Sequence, residues 1–185
     1  PTENGKDEHH TRTRYFDAKR RVVFEKDESG VYNWTGYSST TGQVTTYVKD
    51  ANSGSSISAL NSDATAFGVS LPSDGLHLVT DYVYDAQGRV STKCFPSGRI
   101  TANHYTILGD SRLVTLSSPK QNGSTFCGPA SYNVTNLVGR TEATGSIAFP
   151  ETTNGKTTTA MSQWIDTSSS NPLAAVFSNV GTLSS

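Results

Sequence analysis

The tightest constraint on this chain is a pair of sharp turns set ten residues apart. Tyr84-Asp85-Ala86-Gln87-Gly88-Arg89-Val90 places Asp first and Gly fourth, and Phe95-Pro96-Ser97-Gly98-Arg99 follows with the same Gly-Arg ending. Asp in first position can bond its side chain to the backbone two residues on. Gly in fourth position takes the left-handed conformation that closes a type I turn with a bulge. Pro96 presets φ at the second turn position. The start of the chain repeats the arrangement with Tyr15-Phe16-Asp17-Ala18-Lys19-Arg20-Arg21-Val22, then Asp27-Glu28-Ser29-Gly30, where Gly30 lies ten residues beyond Arg20. Leading aromatics recur as well, Tyr15 to Tyr37 at 22 residues and Tyr84 to Tyr105 at 21. A period near 21 that contains two turns means two strands per repeat. A single hairpin cannot bury its own face, so such units stack.

Composition agrees with a sheet. Ser and Thr make up 50 of the 185 residues, with 34% hydrophobic and 17% charged, against about 45–50% and about 25% in ordinary globular domains. Low charge argues against a charge-driven disordered chain. A formal net charge of -1 gives no electrostatic basis for binding nucleic acid or an anionic membrane surface. The longest apolar run, Leu173-Ala174-Ala175-Val176-Phe177, falls far short of the roughly 20 residues of a membrane helix. Thr, Val and Tyr outweigh the helix formers, which favours strands. The fold class expected is all-β, an antiparallel meander of short strands.

Along the chain, residues 1–13 are polar and read as an N-terminal linker. Residues 14–49 carry the first hairpins, with Val22-Val23-Phe24, Val31-Tyr32-Asn33-Trp34 and Val44-Thr45-Thr46-Tyr47-Val48 as strands. Residues 50–75 are a Ser/Gly/Ala-rich insertion with a short helical turn expected near Ser58 to Ala66. Residues 76–117 hold the second set of hairpins, alternating from Leu76 onward. Residues 118–166 read as degenerate repeat strands, and 167–185 as a polar linker and terminal strand. The chain reads as a piece of something longer. Cys94 and Cys127 either form a disulfide, if the protein is exported, or remain two small apolar residues.

Tyr84-Asp85-Ala86-Gln87-Gly88-Arg89-Val90 closely resembles the YD repeat of the Rhs family, whose unit reads Tyr-Asp-x-x-Gly-Arg-Leu/Val. Pro96-Ser97-Gly98-Arg99 and Tyr105 look like the rest of that unit. Tyr15-Phe16-Asp17 to Tyr37, with Arg21 and Gly30 among the motif residues, and Ser39-Thr40-Thr41-Gly42-Gln43-Val44 look like a second copy, and Tyr132-Asn133 with Gly139-Arg140 a degenerate third. Arg20 replaces the expected Gly in the first copy, which calls the bulge of that turn into question. The resemblance implies a β-sheet strip coiling into a solenoid or shell in large secreted or cell-surface proteins, among them Rhs toxins, insecticidal toxin complexes and teneurins. The implied partners are neighbouring repeats of the same longer chain, with enclosed cargo or a cell-surface glycan.

The residues suit that role physically. A recurring Tyr forms an aromatic ladder across strands. Arg89, Arg99, Arg112 and Arg140, each just past a turn, can lie on Tyr faces or pair with turn Asp residues, or simply be solvated. Sites for chemistry are sparse. His9-His10 beside Asp7-Glu8 reads as a solvated segment rather than a metal site. His104 with Asp110 and Ser111 lacks a nucleophile elbow. Asp27 with Glu25 and Glu28 suits a turn better than a glycosidase pair. Asn33, Asn122 and Asn133 sit in glycosylation patterns that chance produces readily in so Ser/Thr-rich a chain. No catalytic residue, metal site or cofactor is expected. The expected role is a non-catalytic extracellular scaffold segment. The alternative is a carbohydrate-binding or adhesive β-domain that stacks sugars on Trp34, Tyr37 and Tyr105.

Overall fold

A computed structural model describes residues 11–108, 111–121, 125–126 and 130–147. Among these the chain is all-β and antiparallel, with eleven strands and one helix. The strands are β1 (Thr13–Phe16), β2 (Val22–Lys26), β3 (Tyr32–Tyr37), β4 (Val44–Lys49), β5 (Leu78–Tyr84), β6 (Val90–Cys94), β7 (Ile100–Ile107), β8 (Leu113–Gln121), β9 (Thr125–Phe126), β10 (Ala130–Thr135) and β11 (Thr141–Ile147). The helix α1 (Ser58–Phe67) lies between β4 and β5. The chain divides at Tyr82–Val83, inside β5, into two compact units. In the first unit β1 to β5 pair in chain order. In the second, β6, β7, β8, β10 and β11 pair in that order, and β9 pairs with β8.

One five-residue turn makes the meander. It recurs at Asp17, Asp27, Asp85, Phe95, Leu108 and Asn136. Each time the first N–H donates to the fifth carbonyl and the fourth N–H to the first carbonyl, at 2.8–3.0 Å. The fourth residue is left-handed in all six: Arg20 (φ 61°), Gly30, Gly88, Gly98, Ser111 and Gly139. In the four turns that begin with Asp or Asn, Oδ1 of that residue accepts the amides of the third and fifth residues. The bulge thus survives without Gly in the first copy. Arg20 holds the strained conformation because Asp17 fixes the amides on both sides of it.

In the first unit the register sets Phe24 opposite Trp34, Trp34 opposite Val48 and Val48 opposite Val79, so all four share one face. A bare sheet cannot keep that face dry, and the insertion supplies the second layer. Leu60 of α1 is fully buried with Phe24, Trp34, Val48, Ala51 and Val69. Phe67 meets Tyr15 and Phe24 edge to face, with ring centroids 6.3 and 6.4 Å apart. The indole of Trp34 folds flat over Gly36, where a Cβ would come within 2.5 Å of the ring. Ten residues are too few for a stable free helix. Packing holds α1 instead, and Gly68, left-handed at its C-cap, ends it. At the neck of the insertion, Asp50 and His77 both adopt positive φ, and the His77 N–H donates to the Asp50 carbonyl at 2.8 Å. The alternation that starts at Leu76 therefore becomes strand only at Leu78, and Leu76 is 73% exposed.

In the second unit Ala102, Val114, Leu116, Ala130 and Val134 form the buried cluster. The opposite side of the sheet carries the row Tyr105, Thr115, Asn133 and Thr144. Tyr132 covers Gly145 across the β10–β11 pair as Trp34 covers Gly36.

Two stability changes follow. A left-handed L-residue costs about 1–2 kcal/mol, partly offset in a Gly replacement by about 0.4–1 kcal/mol of unfolded-state entropy. Arg20→Gly is therefore expected to stabilise the first unit by about 0.5–1 kcal/mol. Leu60→Ala, which hollows the helix–sheet layer, is expected to cost about 2–5 kcal/mol. Urea denaturation followed by Trp34 fluorescence in a Trp164→Phe background measures both.

Candidate functional site

The motif residues assemble into one device that occurs twice. In the first unit Asp17 Oδ2 accepts Arg21 Nε at 2.8 Å and lies 2.7 Å from Nη2. The Arg21 guanidinium lies 4.1 Å over the Tyr37 ring, and the Tyr37 hydroxyl donates to the Val22 carbonyl at 2.9 Å. In the second unit Asp85 accepts Arg89 Nε at 2.8 Å, Arg89 lies 4.4 Å over Tyr105, and the Tyr105 hydroxyl donates to the Val90 carbonyl at 2.9 Å. The four positions recur at a constant offset of 68 residues, from Asp17, Arg21, Val22 and Tyr37 to Asp85, Arg89, Val90 and Tyr105. The 68-residue offset is a sequence signal for the clamp that the 21-residue period does not carry.

The electrostatics follow from the contacts. The Arg21 amide, above all, holds the Asp17 carboxyl below the ordinary range. It does so against partial desolvation and with help from the Arg21 guanidinium and the Lys19 amide. At Asp85 desolvation is the largest single influence and acts upward. The Arg89 amide and guanidinium together with the Gln87 amide outweigh it and hold the group low. Burial raises the Tyr37 phenol, against the pull of Arg21. Burial, seconded by Arg89, lowers His104.

The remaining candidates fall into place singly. Gly30, Gly88 and Gly98 hold the fourth turn position, Tyr84 ends β5 just before Asp85, and Tyr15 packs on Phe24 at 6.4 Å. Arg99 lies 4.5 Å over Phe95, and Arg112 is 3.8 Å from Glu142. Glu25, beside Asp27 in sequence, is bound by Arg12 and Arg14, and Asp27 serves its turn. Ser111 is a left-handed turn residue. Asp110, His9 and His10 lie outside the described residues. Cys94 carries a free thiol; Cys127 also lies outside the described residues.

Trp34 requires a correction. It does not present a ring for a sugar: it is 2% exposed beneath α1, and its indole N–H donates to Asp63 Oδ2 at 2.9 Å. The insertion that reads as a loose loop is what covers it. Tyr37 and Tyr105 each have one face taken by a guanidinium and the hydroxyl taken by a backbone carbonyl.

Beside the first clamp the sheet and α1 enclose an open cleft of about 500 Å³, lined among others by Phe16, Asp17, Arg21, Tyr37, Asp63 and Phe67. Sequence reasoning did not single out Asp63 or Phe67, which face this cleft only because α1 docks. Among the described residues no group of three or more His, Cys, Asp or Glu is placed to hold a metal. No helix among them is long and apolar enough to cross a membrane. The sequence matches no protein-family model and no curated protein.

The lowered His104 sets a pH dependence. The unfolded chain takes up this proton first, near the ordinary value of 6.5, so the stability that neutral His104 contributes is complete above that pH. It is lost as pH falls below 6.5 towards the folded value. His104→Gln is expected to flatten the fall in thermal midpoint between pH 7 and about pH 5. Asp17 and Asp85, both lowered, produce a separate loss as pH falls below their ordinary 3.8, which Asp17→Asn and Asp85→Asn reduce. Scanning calorimetry across pH separates the two.

Proposed function

We propose that the chain is a non-catalytic structural segment of a large extracellular YD-repeat protein, part of a β-sheet shell or scaffold that encloses cargo or presents a surface. The observation that carries this reading is the Asp–Arg–Tyr clamp, built twice from the residues that make up the motif. Its polar groups are turned inward onto turns, guanidinium and carbonyl, which suits a device for setting strand geometry. A meander of short strands with a hydroxyl-rich side also suits a repeat sheet. Among the described residues, β1 pairs only with β2 and β11 only with β10, and such edges suit a segment continued by further repeats.

The adhesive alternative has less support, since Trp34 lies beneath α1. Two measurements on the whole chain decide. Strands β1 and β11, each paired on one side only among the described residues, are expected to make the chain self-associate with rising concentration in sedimentation velocity, and a glycan array is expected to show no saturable binding. A chain that stays monomeric with two-state unfolding would count against the stacking reading. Glycan binding abolished by Tyr105→Ala in a folded variant would favour adhesion.

A further inference from the structure

The cleft of the first unit has a chemical bias that the scaffold reading does not use. Its volume of about 500 Å³ is within the range of small-molecule sites. The charged residues lining it are Asp17, Arg21 and Asp63. Asp17 and Arg21 neutralise each other at 2.7 Å, and Arg21 Nη1 also donates to the Gly42 carbonyl at 3.1 Å. Asp63 is different. Its Oδ2 accepts the neutral indole N–H of Trp34 at 2.9 Å, and among the described residues it joins no salt bridge.

One carboxylate charge is thus left on the wall, half-buried, among aromatic rings. Phe67 lies along the α1 side, and Phe16, 52% exposed, stands on the sheet side. A carboxylate beside aromatic carbon attracts a cation more than an anion, through charge and through the negative ring faces. An anion would need the one guanidinium, which the clamp has already engaged. We propose that this cleft binds an organic cation, an ammonium or guanidinium group on an apolar stem, with Asp63 Oδ1 as counter-charge and Phe16 and Phe67 against the stem. The site is independent of the scaffold reading, and either can fail without the other. Its charge does not arise from the repeat motif, because α1 brings it from the insertion.

The test is a set of three matched probes titrated into the full chain carrying Trp164→Phe, with Trp34 emission as readout. Phenethylammonium is expected to shift the emission saturably, 2-phenylethanol to bind at least about tenfold more weakly, a difference of about 1.4 kcal/mol, and phenylacetate not to bind. Asp63→Asn keeps an acceptor for the indole N–H and is expected to bring phenethylammonium down to the level of the alcohol. Ala59→Phe fills the cleft with Asp63 intact and is expected to abolish binding, which keeps the test decisive should Asp63→Asn fail to fold. Equal binding of amine and alcohol would overturn the proposal and point to a neutral ligand such as a saccharide. Amine binding unchanged in folded Asp63→Asn, or no saturable response to any probe, would also overturn it.

Discussion

A single carboxylate sets the geometry of each hairpin turn that carries the motif. Asp85 Oδ1 accepts the amides of Gln87 and Arg89, which forms the turn, while Oδ2 holds the Arg89 side chain back over Tyr105. The tyrosine hydroxyl then returns to the Val90 carbonyl. A local turn is thereby tied to the far end of the strand that pairs with β6. A slip of one residue in that pairing would turn Tyr105 to the other face and break the stacking and the hydroxyl bond together. The clamp therefore pins register as well as the turn. A Ser/Thr-rich sheet needs such a pin, because a polar face specifies register only weakly.

Register in turn dictates what each face must do. In the first unit it collects Phe24, Trp34 and Val48 on one side, and those large side chains make a covering layer obligatory. The insertion between β4 and β5 meets that need. Its neck is locked by Asp50 and His77, and Gly75 sits where a Cβ would come within 2.7 Å of the Asp50 carbonyl oxygen. At the matching positions of the second unit, 68 residues on, Trp34 gives way to Ala102 and Gly36 to His104. The indole that needs a helix above it and the glycine that makes room for the indole disappear together. Two copies of one clamp thus support two different faces.

The features legible in the sequence are those fixed by a few neighbouring residues. Asp85 to Arg89 and Asp27 to Gly30 announce their turns because side chain and φ preference act within five residues. The helix expected near Ser58 to Ala66 forms at Ser58–Phe67: Ala59, Leu60, Ala64 and Ala66 permit it and Gly68 stops it, although packing is what holds it. Features set by long-range docking were not legible. Trp34 sits in an alternating strand where either face can be wet, and only the return of α1 from 29 residues away, through Asp63, decides that it is buried. Arg20 has no local reason to be left-handed. The turn around it imposes that conformation, because Asp17 secures more hydrogen bonds than one strained residue costs. Leu76 continues an apolar alternation, but the neck of the insertion keeps it out of β5.

Hydrogen-bond partners separate the residues that hold the fold from those still able to meet a ligand. In each clamp, Oδ1 carries two amides, Oδ2 carries a guanidinium, and the guanidinium has a ring beneath it. Removing a proton acceptor from such a set breaks several bonds together, so these Asp residues stay ionised and engaged across ordinary pH. A group that must give or take a proton during a reaction needs an uncommitted lone pair and a pKa near working pH. The clamp carboxylates are held below the ordinary carboxylate range by their partners, and their recurrence is best explained by geometry. Asp63 is half-buried, holds one neutral donor and lines the open cleft, so it keeps an oxygen free for a ligand where Asp17 and Asp85 have committed theirs to the turns.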